Sequence, residues 1–173
     1  MQMFVLDRSP IDSARFLCDA HVRVICREIT MCLSAWYAHN TGHVDELPYK
    51  PFNHPAVWQF ANPYTRRWAG ANARHIFNEF VRRFGKVHAS KRKLDQVALY
   101  MSNHDNSLFG MRPDDVYEHA RFSFIEKGHS VVPELTIDEA VRCYRHYYRQ
   151  KLDDFKVPVV YTDTIIPYWR EYT

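Results

Sequence analysis

Residues 9–42 read SPIDSARFLCDAHVRVICREITMCLSAWYAHNTG, and the fold class follows from them. Ser9 can cap a helix, Pro10 suits the first helical position, and Asp12 completes a Ser-x-x-Asp box. An apolar face then runs through Ile11, Ala14, Cys18, Ile25, Cys32 and Trp36, and Asn40-Thr41-Gly42 ends it. This spacing predicts one amphipathic helix of about 30 residues.

Working outward, QMFVL at 2–6 reads as a short strand or extended arm. A loop rich in Gly, Pro and polar residues covers 40–52. Asn53 is the expected cap of a short helix through Pro55, Val57, Trp58 and Phe60. Asn62-Pro63 restarts a helix that runs to Phe84, with Gly85 as its stop. A further helix covers 91–102, and residues 103–135 show little periodicity beyond a helical turn near 113–119. Thr136 and Glu139 form a capping box for a last helix to about Asp153. The tail, 157–173, is too aromatic to be a free end and is expected to pack back on the body. The expected fold is all-α: a compact single-domain helical bundle over 1–173, with a short N-terminal strand or arm and a packed aromatic tail.

The length, 173 residues, is that of one ordinary domain. Aromatic residues at 15% exclude low-complexity disorder, and five glycines exclude a collagen-like or linker-like chain. No stretch approaches the ~20 apolar residues of a membrane span. Asp7 and Arg8 interrupt the short apolar start, so no secretory signal is expected and the expected location is the cytoplasm. Cys18, Cys26, Cys32 and Cys143 form neither a CxxC pair nor a zinc-ribbon spacing, and they read as small buried hydrophobes. No metal and no cofactor are expected.

Charge is more informative in its distribution than in its sum of +3. From 66 to 93 stand Arg66, Arg67, Arg74, Arg82, Arg83, Lys86, Lys91, Arg92 and Lys93, against Glu79 alone. Such a block suits either phosphate contact or a solvated helix face. Trp58, one helical turn after His54, is the tryptophan best placed to flank a pocket, where it would suit stacking on a base.

Polar groups also fall on the wrong face of the first helix. His21 and Glu28 are seven residues apart and lie among Cys18, Ile25 and Cys32 in projection. A carboxylate on an inward stripe is expensive unless paired or hydrated, and burial favours its protonated form, which poises it for proton transfer. Two readings stay open: Glu28 bonds an arginine in the core, or it points into a pocket. Asp19, Arg23 and Arg27 complete a dense ionisable cluster, but the spacing lacks the i, i+4 pairing of a helical metal site.

The pattern D-x-H-x5-R-E-Φ over Asp19–Ile29 resembles the first helix of the phage endonuclease V group, the pyrimidine-dimer DNA glycosylases. His54-Pro-Ala-Val-Trp58, then Tyr64 and the basic aromatic helix ending Glu79-Phe-Val-Arg-Arg83-Phe-Gly85, is similar to that family's second block. Tyr147-Tyr148 is similar to its C-terminal tyrosine pair. The chain also resembles a broader set of phage proteins with a short MQ-Φ-F-x-L-D start and a Pro-aromatic-Trp tail, here Pro167-Tyr168-Trp169. The resemblance covers most of the chain in order.

It implies a helical DNA-binding enzyme whose N-terminal amine attacks C1′ of a damaged nucleotide, with a helix glutamate supporting base release and β-elimination. Carried over, the amine is that of Met1, the glutamate is Glu28, and Arg27 and His21 position phosphate or sugar. The family's arginine one turn after the glutamate is matched here by Met31. An α-amine with a pKa near 8 needs only a modest downward shift to be nucleophilic. Double-stranded DNA, or a nucleotide within it, is the implied partner, gripped by Arg23, His54, Trp58 and the basic block. The location becomes the host cytoplasm if the chain is phage-encoded.

The leading expectation is a glycosylase or glycosylase/abasic-site lyase acting on a damaged or modified pyrimidine. The alternatives are a transferase that modifies a phage base, a non-catalytic nucleic-acid-binding protein of the same fold, a protein that engages a host protein, and an enzyme on free nucleotides.

Overall fold

The structure, a computed structural model, describes residues 3–125, 131–164 and 166–170. Its helices are α1 (Pro10–Arg15), α2 (Asp19–Thr41), α3 (Pro55–Trp58), α4 (Pro63–Phe84), α5 (Lys91–His104), α6 (Pro113–His119) and α7 (Ile137–Asp153). Between α6 and α7 lie two strands, β1 (Phe122–Ile125) and β2 (Val131–Leu135). The chain is therefore largely helical with a small antiparallel sheet, which corrects the all-α expectation.

The predicted 30-residue helix is also two helices. At the break, the Cys18 N–H donates to the Tyr148 hydroxyl oxygen at 2.9 Å and the Asp19 N–H donates to the Val160 carbonyl at 2.9 Å. The carbonyls of Arg15 and Leu17 accept from the Arg83 guanidinium at 2.9 and 2.6 Å. Every one of these backbone groups would otherwise have closed a helical turn. Tertiary partners from α4, α7 and the tail satisfy them instead, so the turn opens and α2 starts afresh with Cys18 as its cap.

Elsewhere local signals act as read. Asn62 accepts from the N–H groups of Tyr64 and Thr65, with Pro63 behind it, and α4 ends on Gly85 at φ +63°. Gly42 ends α2 at φ +74°. Thr136 and Glu139 form the reciprocal capping box of α7. At α3 the cap is His54, whose Nδ1 accepts from the Ala56 N–H at 3.1 Å. Asn53, the expected cap, accepts instead from the Trp58 indole at 2.9 Å.

Residues 3–6 form an extended arm that pairs with no strand among the described residues. Ser13 Oγ substitutes for a strand neighbour, accepting from the Leu6 N–H at 3.0 Å and donating to the Phe4 carbonyl at 3.2 Å. Arg145 completes the lining, donating to the Leu6 carbonyl at 2.7 Å and to Asp7 at 2.8 Å. The arm is fully buried, and Phe4 sits against Tyr148 with ring centroids 4.8 Å apart.

The core joins this arm to α2, α4, β1 and α7. Trp68, Tyr144, Tyr148, Phe60, Phe77 and Phe122 are among its largest fully buried side chains. In β1, Phe122 and Phe124 alternate inward against Trp68 and Tyr144, while most of β2 is exposed. The tail packs back as expected, with Trp169 buried against Tyr148 and Phe16.

Candidate functional site

Helix α2 places His21 and Glu28 on one edge, about 10.5 Å apart along the axis. Their settings differ. His21 is buried, 2.8 Å from the Tyr148 hydroxyl and 3.3 Å from Cys18 Sγ through Nδ1, with Phe4 and Phe155 against its ring. The Tyr148 oxygen also accepts from the Cys18 backbone N–H, so one buried hydroxyl ties the His21 ring to the start of α2. Burial, and then the positive charge of Lys151, hold the His21 pKa down to about 4. The resemblance implies that His21 positions phosphate or sugar; in the fold its Nδ1 faces Tyr148 and Cys18 in the core.

Glu28 is half-buried, one turn from buried Cys32. Burial, followed by the negative charge of Glu28, pushes the Cys32 thiol up to about 12. Arg27 and Arg23 are exposed on the neighbouring stripe, and the Arg23 guanidinium lies 4.4 Å from the Phe84 ring centroid. Met1 lies outside the described residues.

The basic block divides into internal and external members. Arg66 is 5% exposed, its Nε 2.9 Å from Asp105, with further bonds to the carbonyls of Phe60 and Ala61 and to Ser107. Its guanidinium also lies 4.1 Å from a Trp36 ring centroid. Arg83 is equally buried and holds Glu79 and Asp19 at 3.1 Å each. These two leave the expected DNA-gripping set, because both are almost wholly buried and their guanidinium groups are committed to internal carboxylates and carbonyls. Arg82 is committed to Glu79 at 2.7 Å and to the Asp163 carbonyl, though partly exposed. Lys91 pairs with Asp95. Lys93 is exposed beside the Tyr49 ring. Arg67, Arg74, Lys86 and Arg92 are exposed and carry no ion pair among the described residues.

Burial alone would raise the carboxyls these internal arginines hold, but their partners win. Hydrogen bonds from Thr162 and Arg83 keep Asp19 below the usual carboxylate range. Arg82 and Arg83 do the same for Glu79, and Ser107, Tyr37 and Arg66 for Asp105. His54 is half-buried at its cap position, whereas Trp58 is 47% exposed with the His39 ring beside it.

A groove of about 790 Å³ lies between α4, α5 and the segment leading into α6. Arg67, Arg74, His75 and Lys91 stand on its sides, over Gly70, Ala71, Leu94, Ala98 and Met101. Glu28, His21 and Arg27 do not line it. Phe109 and Tyr117, which do, went unremarked in the sequence because they stand in the aperiodic stretch 103–135. Lys151, beside His21 and the Phe4 ring, also went unremarked; its position three residues after Tyr148 on α7 was the available signal. No group of three His, Cys, Asp or Glu side chains among the described residues is placed to hold a metal ion.

Compared with known proteins, the chain matches no family model, no curated protein and no solved structure.

Proposed function

We propose that this chain binds DNA and processes a base within it, with glycosylase or glycosylase/abasic-site lyase chemistry centred on Glu28. The observation that carries the reading is the half-buried setting of Glu28 on α2, with Arg23 and Arg27 exposed on the same helix. A carboxylate so placed has solvent access on one side and low-dielectric surroundings on the other. That setting suits a group that must exchange a proton or stabilise a developing positive charge at C1′. Arg27 and Arg23 supply cations for the flanking phosphates. The Met1 amine enters from the sequence resemblance alone. In that step its nitrogen bonds to C1′ as the glycosidic bond breaks and the base leaves with the bonding electrons and a proton. The sugar then opens as the C1′–O4′ bond breaks and O4′ takes a proton, which gives the Schiff base; loss of a C2′ proton expels the 3′-phosphate, and water hydrolyses the imine to free the amine.

Borohydride trapping on duplexes carrying an abasic site, a cyclobutane pyrimidine dimer or a hydroxymethylated pyrimidine tests this. The expected result is a covalent adduct that maps to Met1 and falls about 100-fold or more in Glu28→Gln. No adduct and no strand cleavage, alongside binding that weakens with salt, would overturn it.

A second reading, a binding protein without turnover, is favoured by the position of the exposed cations. Arg67 and Arg74 line a groove that excludes Glu28, and His21 is spent on Tyr148.

A further inference from the structure

The α4–α5 hairpin is built around small residues. On α4 the positions 67, 70, 71, 74, 75 and 78 follow an i, i+3, i+4, i+7 rhythm on the face turned toward α5. On α5 the same face carries Leu94, Ala98 and Met101. Gly70 permits the close approach there: a Cβ on it would stand 3.3 Å from Met101 Cε. Ala71 and Ala98 line the same groove with side chains too short to fill it, and a valley remains. Its far wall is Phe109, 65% exposed, together with Tyr117.

Charge at the valley is unbalanced. Its two acids are occupied, Asp105 by Arg66 and Asp95 by Lys91. Arg67 and Arg74 project along the same side of α4, two turns apart, without a carboxylate partner among the described residues. Exposed cations beside an apolar slot with an exposed aromatic wall call for a planar ring that carries an anion.

From this we infer that the α4–α5 groove is a nucleotide site, taking a base over Ala71 and Ala98 against Phe109 and a phosphate at Arg74. The volume, about 790 Å³, lies within the usual range of small-ligand sites. Stacking on an aromatic side chain tolerates any base, and guanidinium groups recognise phosphate through paired N–H donors. The inference rests on the nucleic-acid reading above only in using some of the same cations. It assigns them to a nucleotide pocket, where that reading has them gripping a duplex backbone. His75 reports on occupancy. Burial, and then the charge of Arg74, lower its pKa, and a phosphate at Arg74 reverses the second effect.

The test is calorimetric titration of the full chain with thymidine monophosphate, deoxyadenosine monophosphate, a short single-stranded oligothymidylate and inorganic phosphate, with the His75 ring protons followed by NMR. The expected result is nucleotide binding that raises the His75 pKa. Both affinity and shift should fall about tenfold or more in Arg74→Gln and in Ala71→Leu, which fills the slot, and stay within about twofold in Arg142→Gln, which alters an exposed cation of α7. Response to the oligonucleotide alone, with the same variant pattern, would support the site and identify a strand as the source. Inorganic phosphate binding as tightly as the nucleotides, full affinity in a folded Ala71→Leu variant, or no binding by any probe would each overturn it. Glu28→Gln separates the two readings: it abolishes trapping if the lyase chemistry holds and leaves nucleotide affinity unchanged.

Discussion

The Arg83 guanidinium donates to the Asp19 carboxylate at 3.1 Å, joining the last turn of α4 to the first turn of α2. Thr162 of the tail also donates to Asp19, through its backbone N–H at 3.1 Å and its hydroxyl at 2.5 Å. Arg83 further holds Glu79 and the carbonyls of Leu17 and Arg15. One buried guanidinium thus helps hold the break between α1 and α2, and removing it takes a donor from two carboxylates and two carbonyls. Arg83→Gln is expected to cost about 3–5 kcal/mol of folding stability, read by urea denaturation. A variant as stable as the parent would show the network to be dispensable.

Acid sensitivity should begin with His21. Its folded pKa of about 4 lies below the ordinary histidine value of 6.5, so the unfolded chain binds more protons between those limits. Stability from the neutral imidazole is complete above pH 6.5 and is lost as pH falls toward 4, by about 3 kcal/mol at most. The lowered carboxyls of Asp19, Glu79 and Asp105 add their loss only below the ordinary carboxylate range. Urea midpoints at pH 7.5, 5.5 and 4.5 should fall in order, with the first interval flattened in His21→Gln. A midpoint unchanged from pH 7.5 to 5.5 would contradict the buried neutral histidine.

Nucleic-acid affinity should depend on exposed cations and not on buried ones. Arg67→Gln and Arg92→Gln are expected to weaken binding to duplex or single strand, each lowering the salt slope by about 0.7–0.9 while leaving stability nearly unchanged. Arg66→Gln should do the reverse, lowering the thermal midpoint because Asp105 and two backbone carbonyls each lose a donor. Salt titrations beside thermal melts of the same variants distinguish the two classes.

Gly42 and Gly85 stand at φ +74° and +63°, each ending a long helix, with open space where a Cβ would go. The cost of substitution is therefore conformational and not steric. Gly42→Ala and Gly85→Ala should each destabilise by about 1 kcal/mol, and the asparagine variants by less, in chemical denaturation.

Much of the fold was written in short-range signals. Asn62-Pro63, Gly85, Thr136 with Glu139, and Gly42 each act through hydrogen bonds or dihedrals within a few residues, so the helices they bound were legible from the chain alone. The strands were not. β1 is four residues long and β2 carries Pro133, and their pairing is decided by where Trp68 and Tyr144 leave room for Phe122 and Phe124.

The same division holds for the site. Local sequence identified Glu28, its half-inward stripe and the basic block. Only the tertiary structure decided which charges face water, because that depends on partners far along the chain. Arg66 finds Asp105 from 39 residues away, and Arg83 finds Asp19 from 64. His21 is claimed by Tyr148, 127 residues on. Periodicity reports which face of a helix a residue occupies. What waits opposite that face is set by packing, and it sorted one run of like charges into core ties and exposed cations.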